Sequence, residues 1–291
     1  FRPALLDDPL MVELTSRYRA FAAFVFFVTV SLAVTAVFTC DVVWRFSPMS
    51  QIKIVMAIIG VILVTLVFSV VEPEAMKGFE TYELLGEDLF RSTLGVAKTG
   101  ACLPDRATCV TGSSFDAMND LVDISNRIVS LAAAASLAGI ILSLADAPRI
   151  ASVSVQVSHI REARRRAKRY LYCSGLLLTA GMIWTQAWMS WPAALIADDT
   201  ARGQFWDMVG AFSIFRGTTY SLLILSVYLP VYLVLAVRVD AFRRVSTDED
   251  LEEEQALERI SYTEALKTIT AIVAPILMSV IGSAWSVTLG L

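Results

Sequence analysis

Six stretches of this chain contain no Asp, Glu, Lys, Arg or His: residues 21–40, 54–71, 128–145, 171–190, 218–237 and 268–288. Each runs for 18 to 21 residues. At a rise of about 1.5 Å per residue, roughly 20 residues of helix cross a hydrocarbon layer about 30 Å thick. Backbone polar groups in that layer must be satisfied internally, which leaves helices and closed barrels as the spanning structures. A buried helix in a large soluble protein is the rival reading of any one stretch, but a single soluble chain seldom carries six. Composition agrees. The chain is 56% hydrophobic and 18% charged, with a mean hydropathy of +0.63, whereas soluble domains are about a quarter charged. The expected fold is an all-α membrane protein, with residues 1–291 forming one bundle of about six transmembrane helices. An ordered extracytoplasmic loop, 72–127, and short charged cytoplasmic segments complete it. The chain starts at Phe1 and not at Met, so a leader has been removed or the start is missing.

Basic residues choose between the two orientations. With the N-terminus outside the cytoplasm, the inner segments 41–53, 146–170 and 238–267 hold 14 of the 24 Lys and Arg residues. An excess of basic residues inside favours that arrangement, although Arg17 and Arg19 ahead of the first span argue against it. Six cations fall within nine positions, Arg161, Arg164, Arg165, Arg166, Lys168 and Arg169, directly before the fourth stretch. At helical spacing they cover most of one helix, with Ile160, Ala163, Ala167, Tyr170 and Leu171 on the rest. The expectation is one amphipathic helix continuing into span four, its cations among anionic headgroups at about 1 kcal/mol each. A phosphoinositide or nucleotide site is the sharper alternative, and topology alone accounts for the residues. The net charge of −4 and pI near 5.2 argue against nucleic acid as a partner.

Cysteine usage fits the same orientation. Cys102 and Cys109 bracket "LPDRAT" in the outer loop, where an oxidising compartment would let them pair. Cys40 and Cys173 lie at span ends on the reducing side. The acidic run "DEDLEEEQALE" within 238–267 reads as a solvated face, or as a dock for the basic helix. Trp184, Trp188 and Trp191 suggest an aromatic belt at the outer end of span four.

Catalytic motifs are missing. The single histidine, His159, cannot build a Ser-His-Asp system with any nucleophile placed at membrane depth. "GVAKTG" lacks the spacing of a phosphate loop, and haem ligation by paired histidines is excluded by the count. Glu80, Glu83 and Glu87 share a helical face in the outer loop, which more often means solvation than a divalent cation. No cofactor or metal is expected, and no enzyme activity. The spans themselves lack the ionisable residues that coupled transporters use.

A passive pore remains open, because hydroxyls, backbone and apolar constrictions can line one. Span five is the expected lining, with Thr219, Ser226, Tyr228 and Tyr232 around the helix-bending Pro230, Arg216 at the outer mouth and Arg238 at the inner. Span six carries Pro275 and then Gly282. Small-residue rows in span three (Ala132 and Ser136, Ala134 and Ala138, Ala135 and Gly139) and Gly175 and Gly181 in span four permit close helix contact, within the chain or between copies. The expected function is therefore a passive oligomeric channel with spans five and six near the path. The alternative is a non-catalytic membrane subunit or scaffold that binds partner proteins through its outer loop and inner segments. The expected location is a bacterial inner membrane, with both termini outside the cytoplasm, or alternatively an organelle inner membrane. The expected partners are the lipid bilayer and either further copies or another membrane protein.

Overall fold

The computed structural model describes residues 9–45, 112–144, 153–191 and 198–243, residues 262–288, and Ile59 and Ile196 singly. The second stretch, 54–71, the outer loop up to Gly112, the Cys102–Cys109 pair, Glu80, Glu83 and Glu87, and the acidic run all lie outside the described residues. Among the described residues the secondary structure is helical throughout, in five long helices: α1 (Pro9–Arg45), α2 (Gly112–Leu142), α3 (Val153–Ser190), α4 (Asp199–Arg243) and α5 (Tyr262–Thr288).

α3 is the central element and touches each of the other four. Its contacts set their direction and height. Arg17 lies over the Trp191 ring, Phe27 meets Gly181, and Asp41 pairs with Arg169, so α1 runs antiparallel to α3. Ser125 accepts from Trp184, Ser136 meets Ser174, and Gly139 faces Tyr170, which makes α2 antiparallel to it as well. Phe205 and Val209 pack with Met189 at one end, and Arg164 lies over Tyr232 at the other, so α4 is also antiparallel. α5 runs parallel to α3, with Ala271 against Gly175 and Ser279 beside Gln186.

The expectation of six membrane-spanning helices is met only in part. Two described helices are long and apolar enough to cross a membrane, over Thr15–Val43 and Asp199–Val239, and two shorter apolar runs cover Arg127–Leu142 and Leu266–Gly282. The stretch 171–190 is free of charge but carries Ser, Thr, Gln, Tyr and Trp. Its position explains this. A helix surrounded by four others meets protein on most sides, so it can carry polar side chains that a lipid-facing helix cannot. α1 and α4, at the periphery, expose Phe21, Val25, Leu32, Leu222, Leu229 and Leu233.

α3 continues unbroken from the basic run into the charge-free stretch, as its spacing suggested. α4 differs from expectation. It starts at Asp199, well before residue 218, and passes through Pro230 without interruption. The small-residue rows are used within the chain. Ala132, Ala135, Ser136 and Ala138 are buried, the Ser136 and Ser174 hydroxyls meet at 2.5 Å, and Gly181 receives the Phe27 ring. Two of the three belt tryptophans also turn inward. Trp184 and Trp191 are buried, and Trp184 donates to Ser125 at 3.2 Å while packing edge-on to Phe24.

Candidate functional site

Besides the Ser136–Ser174 and Trp184–Ser125 contacts, polar groups gather at an end of the bundle and at mid-height. At the end, Asp41 is only 7% exposed. Arg169 Nη1 donates to both of its oxygens at 3.1 Å, and the Tyr170 hydroxyl donates to Oδ2 at 2.9 Å. A buried carboxylate is tolerated only when paired and hydrogen-bonded, and breaking such a pair costs more than the pair contributes. Burial, with the Asp41 charge next in importance, pushes the Tyr170 phenol above its ordinary range and keeps it a donor. Phe38, Gly139, Leu142, Ser143 and Arg166 complete a small cleft here. The basic run thus acts partly within the protein. Arg169 holds Asp41, Arg166 donates to Glu162 at 3.3 Å, and Arg164 lies over Tyr232 at 5.7 Å. Arg165 is exposed, and Arg161 and Lys168 are half-buried. Arg238 donates to the Leu144 carbonyl at the end of α2, at 3.1 Å.

The second feature is the seam between α4 and α5. A methyl added at Gly217 would lie 2.7 Å from the Pro275 carbonyl oxygen and 2.8 Å from the Ser279 hydroxyl. That identifies the face of α4 turned to α5. Residues four apart sit one above another on a helix face, so Ser213 and Ser221 flank Gly217 on this same stripe. Both are buried, and neither hydroxyl has a hydrogen-bond partner among the described residues. Thr179 on α3 and the Trp206 indole are in the same condition. Across the seam, Ser279 is fully buried and donates to its own helix at the Ile276 carbonyl, and Gln186 donates to the Ser279 carbonyl at 3.2 Å. Pro275, with no N–H, leaves the Ala271 carbonyl without its helical partner. That oxygen lies against Gly175, where an added methyl would come within 2.5 Å of it.

The expected path residues divide between two faces of α4. Tyr228 is buried and stacks on the half-buried Tyr232, and Pro275 is buried. Thr219, Ser226 and Pro230 point outward and are exposed; the two hydroxyls donate to carbonyls of their own helix, Phe215 at 3.0 Å and Leu223 at 2.9 Å. Arg216 was expected at the outer mouth but lies near mid-height, because its neighbour Gly217 faces Pro275 and Ser279, which in turn stand between the levels of Gly175 and Gln186 on α3.

Sequence reasoning passed over Ser213 and Gly217, since both precede residue 218. It also passed over Asp41, although the signal was present. Asp41 is the first residue after one charge-free stretch, and Arg169 and Tyr170 come immediately before another. If those stretches are antiparallel neighbours, the three meet at one level. No group of three His, Cys, Asp or Glu residues able to hold a metal occurs among the described residues.

Comparison with protein families, with curated proteins and with solved structures finds no match for this chain.

Proposed function

We propose that the protein is a six-span integral membrane protein of a bacterial inner membrane, with both termini outside the cytoplasm, and that it conducts a small solute passively along the seam between α4 and α5 when these helices part at Gly217, where they are in contact in this structure. One observation carries the reading: Ser213 and Ser221, on the stripe that faces Pro275 and Ser279, are buried hydroxyls without a partner among the described residues. Burying a hydroxyl without a hydrogen bond costs about 1–3 kcal/mol on mutational scales. Such groups suit a place where a passing polar molecule supplies the missing bond. Pro275 lies at the seam and, having no N–H, interrupts the hydrogen-bond ladder of α5, a backbone irregularity that a membrane helix tolerates where it lines a path.

This moves the path away from Thr219 and Ser226, which face outward, to the buried side of the same helix. The proposal needs no contact between copies, because the seam is internal to one chain. Thr219 and Ser226 become outward groups satisfied by their own backbone.

Flux of small polar solutes and ions through liposomes containing the full chain tests the reading, with the protein's mass measured in detergent alongside. Ser213→Val and Ser221→Val should each lower the flux several-fold, and Thr219→Val with Ser226→Val should leave it unchanged. A silent protein refutes conduction. If it also co-purifies with a different chain, it is a membrane subunit. Flux that responds only to the outward pair would return the path to the outer face.

A further inference from the structure

The buried polar atoms that lack a partner are not scattered through the bundle. Among the described residues they are the hydroxyls of Thr179, Ser213 and Ser221 and the Trp206 indole N–H. Each lies on a stripe that α3 or α4 turns to α5. On α3, Gly175 meets Ala271, and Gln186 donates to the Ser279 carbonyl. Thr179, four residues after Gly175 and seven before Gln186, belongs to that stripe. On α4, Gly217 marks the stripe facing Pro275 and Ser279. Ser213 and Ser221 stand one turn to either side of it, and Trp206 comes seven residues before Ser213.

α4 and α5 are antiparallel, so heights along the seam follow from Gly217, which stands between Pro275 and Ser279. One turn on, Ser221 comes level with the Ala271 carbonyl, which Pro275 deprives of its helical N–H. One turn back, Ser213 comes level with Gly282 and with the Gln186 amide that packs on it. Thr179, one turn after Gly175, is level with Pro275. A hydroxyl both donates and accepts, a primary amide does the same, and a carbonyl accepts. Each level therefore offers both halves of a hydrogen bond. Over this height the three stripes carry no charge. The Arg216 guanidinium lies over Phe212, five residues from Gly217 and on another side of α4.

We propose that the seam, with Thr179 of α3 as its third wall, admits small uncharged solutes that both donate and accept hydrogen bonds, such as urea and glycerol, and excludes inorganic ions. The inference rests on the conduction proposed above and names the solute class that path accepts. An anion could use only the donors and a cation only the acceptors. Either would leave water without a counter-charge, a far larger penalty than an uncharged polar group incurs. An amide or polyol instead exchanges its water partners for the groups at each level, and supplies the bonds that the buried hydroxyls lack.

Stopped-flow light scattering on liposomes holding the full chain is the test, with urea and glycerol gradients as probes and potassium and chloride fluxes measured on the same vesicles. Wild type should pass urea and glycerol several-fold faster than protein-free liposomes and keep both ions at the leak. Thr179→Val, which keeps the shape and deletes the hydroxyl, should lower urea permeability about fivefold, the worth of one hydrogen bond. Thr179→Ser should retain it, and guards against a valine variant that fails to assemble. Ion flux that matches urea flux, or urea flux untouched by Thr179→Val, overturns the assignment and leaves conduction standing. A wild type silent to every probe removes both.

Discussion

Gly217 and Gly203 lie on the same helix, α4, yet the same substitution should act on them in opposite directions. In Gly217→Ala the new methyl would stand 2.7 Å from the Pro275 carbonyl oxygen and 2.8 and 3.0 Å from the Ser279 Oγ and Cβ. Carbon–oxygen contacts between helices settle near 3.3–3.6 Å, so α4 and α5 must part by about 0.6 Å or more. A backbone carbonyl cannot rotate out of the way as a long side chain can. Overpacking of this kind costs about 1–3 kcal/mol, against a helix-propensity gain from Gly to Ala of about 1 kcal/mol. The expected net change is a loss of about 1 kcal/mol. At Gly203 nothing lies within 4 Å of the added methyl. Gly203→Ala should therefore keep the propensity gain, and the two variants should differ by about 2 kcal/mol, more than tenfold in the unfolding equilibrium. Reversible unfolding in mixed micelles, followed by helical circular dichroism, measures both. If Gly217→Ala proves as stable as Gly203→Ala, the two helices are not in contact at Gly217 and the seam argument fails with them.

Two further outcomes check the rest of the bundle. A double-mutant cycle on Asp41→Asn and Arg169→Gln should show a coupling of about 1–2 kcal/mol, below that of a fully buried pair because the Arg169 side chain is 41% exposed; no coupling would mean that α1 and α3 are not joined there. With the native cysteines replaced, Ser136→Cys together with Ser174→Cys should form a disulfide under mild oxidation, because the native hydroxyls approach to 2.5 Å and paired cysteines need Cβ atoms about 3.5–4.5 Å apart. Failure to cross-link in membranes would refute the pairing of α2 with α3.

The helical character of the fold was legible because it rests on period and charge, and both survive in one dimension. The break-free α3 was legible for the same reason: basic and apolar positions share a helical spacing across Tyr170. The height of α4 was not. Absence of charge located its apolar portion at 218–237, and that rule treats Arg216 as a boundary. In the bundle Arg216 lies inside the packed height, next in sequence to Gly217 at the α4–α5 contact and with its guanidinium over the Phe212 ring. The Asp41–Arg169–Tyr170 cluster was half legible, as residues of the right chemistry at the ends of two stretches, but which stretches are neighbours is a three-dimensional fact. The same limit explains the tryptophans. Composition alone does not distinguish an indole at a lipid boundary from one that turns inward to meet Ser125.

The length of α4 has a consequence for how the molecule sits in a bilayer. Its 45 residues extend about 67 Å, more than twice the hydrocarbon thickness, and only 218–237 of them form a charge-free run of the length a bilayer needs. Such a helix is longer than one crossing requires. It can meet a thicker or thinner membrane by tilting or sliding at a cost of only fractions of a kcal/mol per Å. α3 is different, for its cations at one end and the Arg17–Trp191 contact at the other stand about 33 Å apart. In the membrane setting proposed above, α3, with its cations and its Trp191 contact, would set the seating depth of the bundle, and α4 would follow it. Changing the acyl-chain length of the host lipid should move the ends of α4 through the headgroups while the register of Gly217 against Pro275 stays the same.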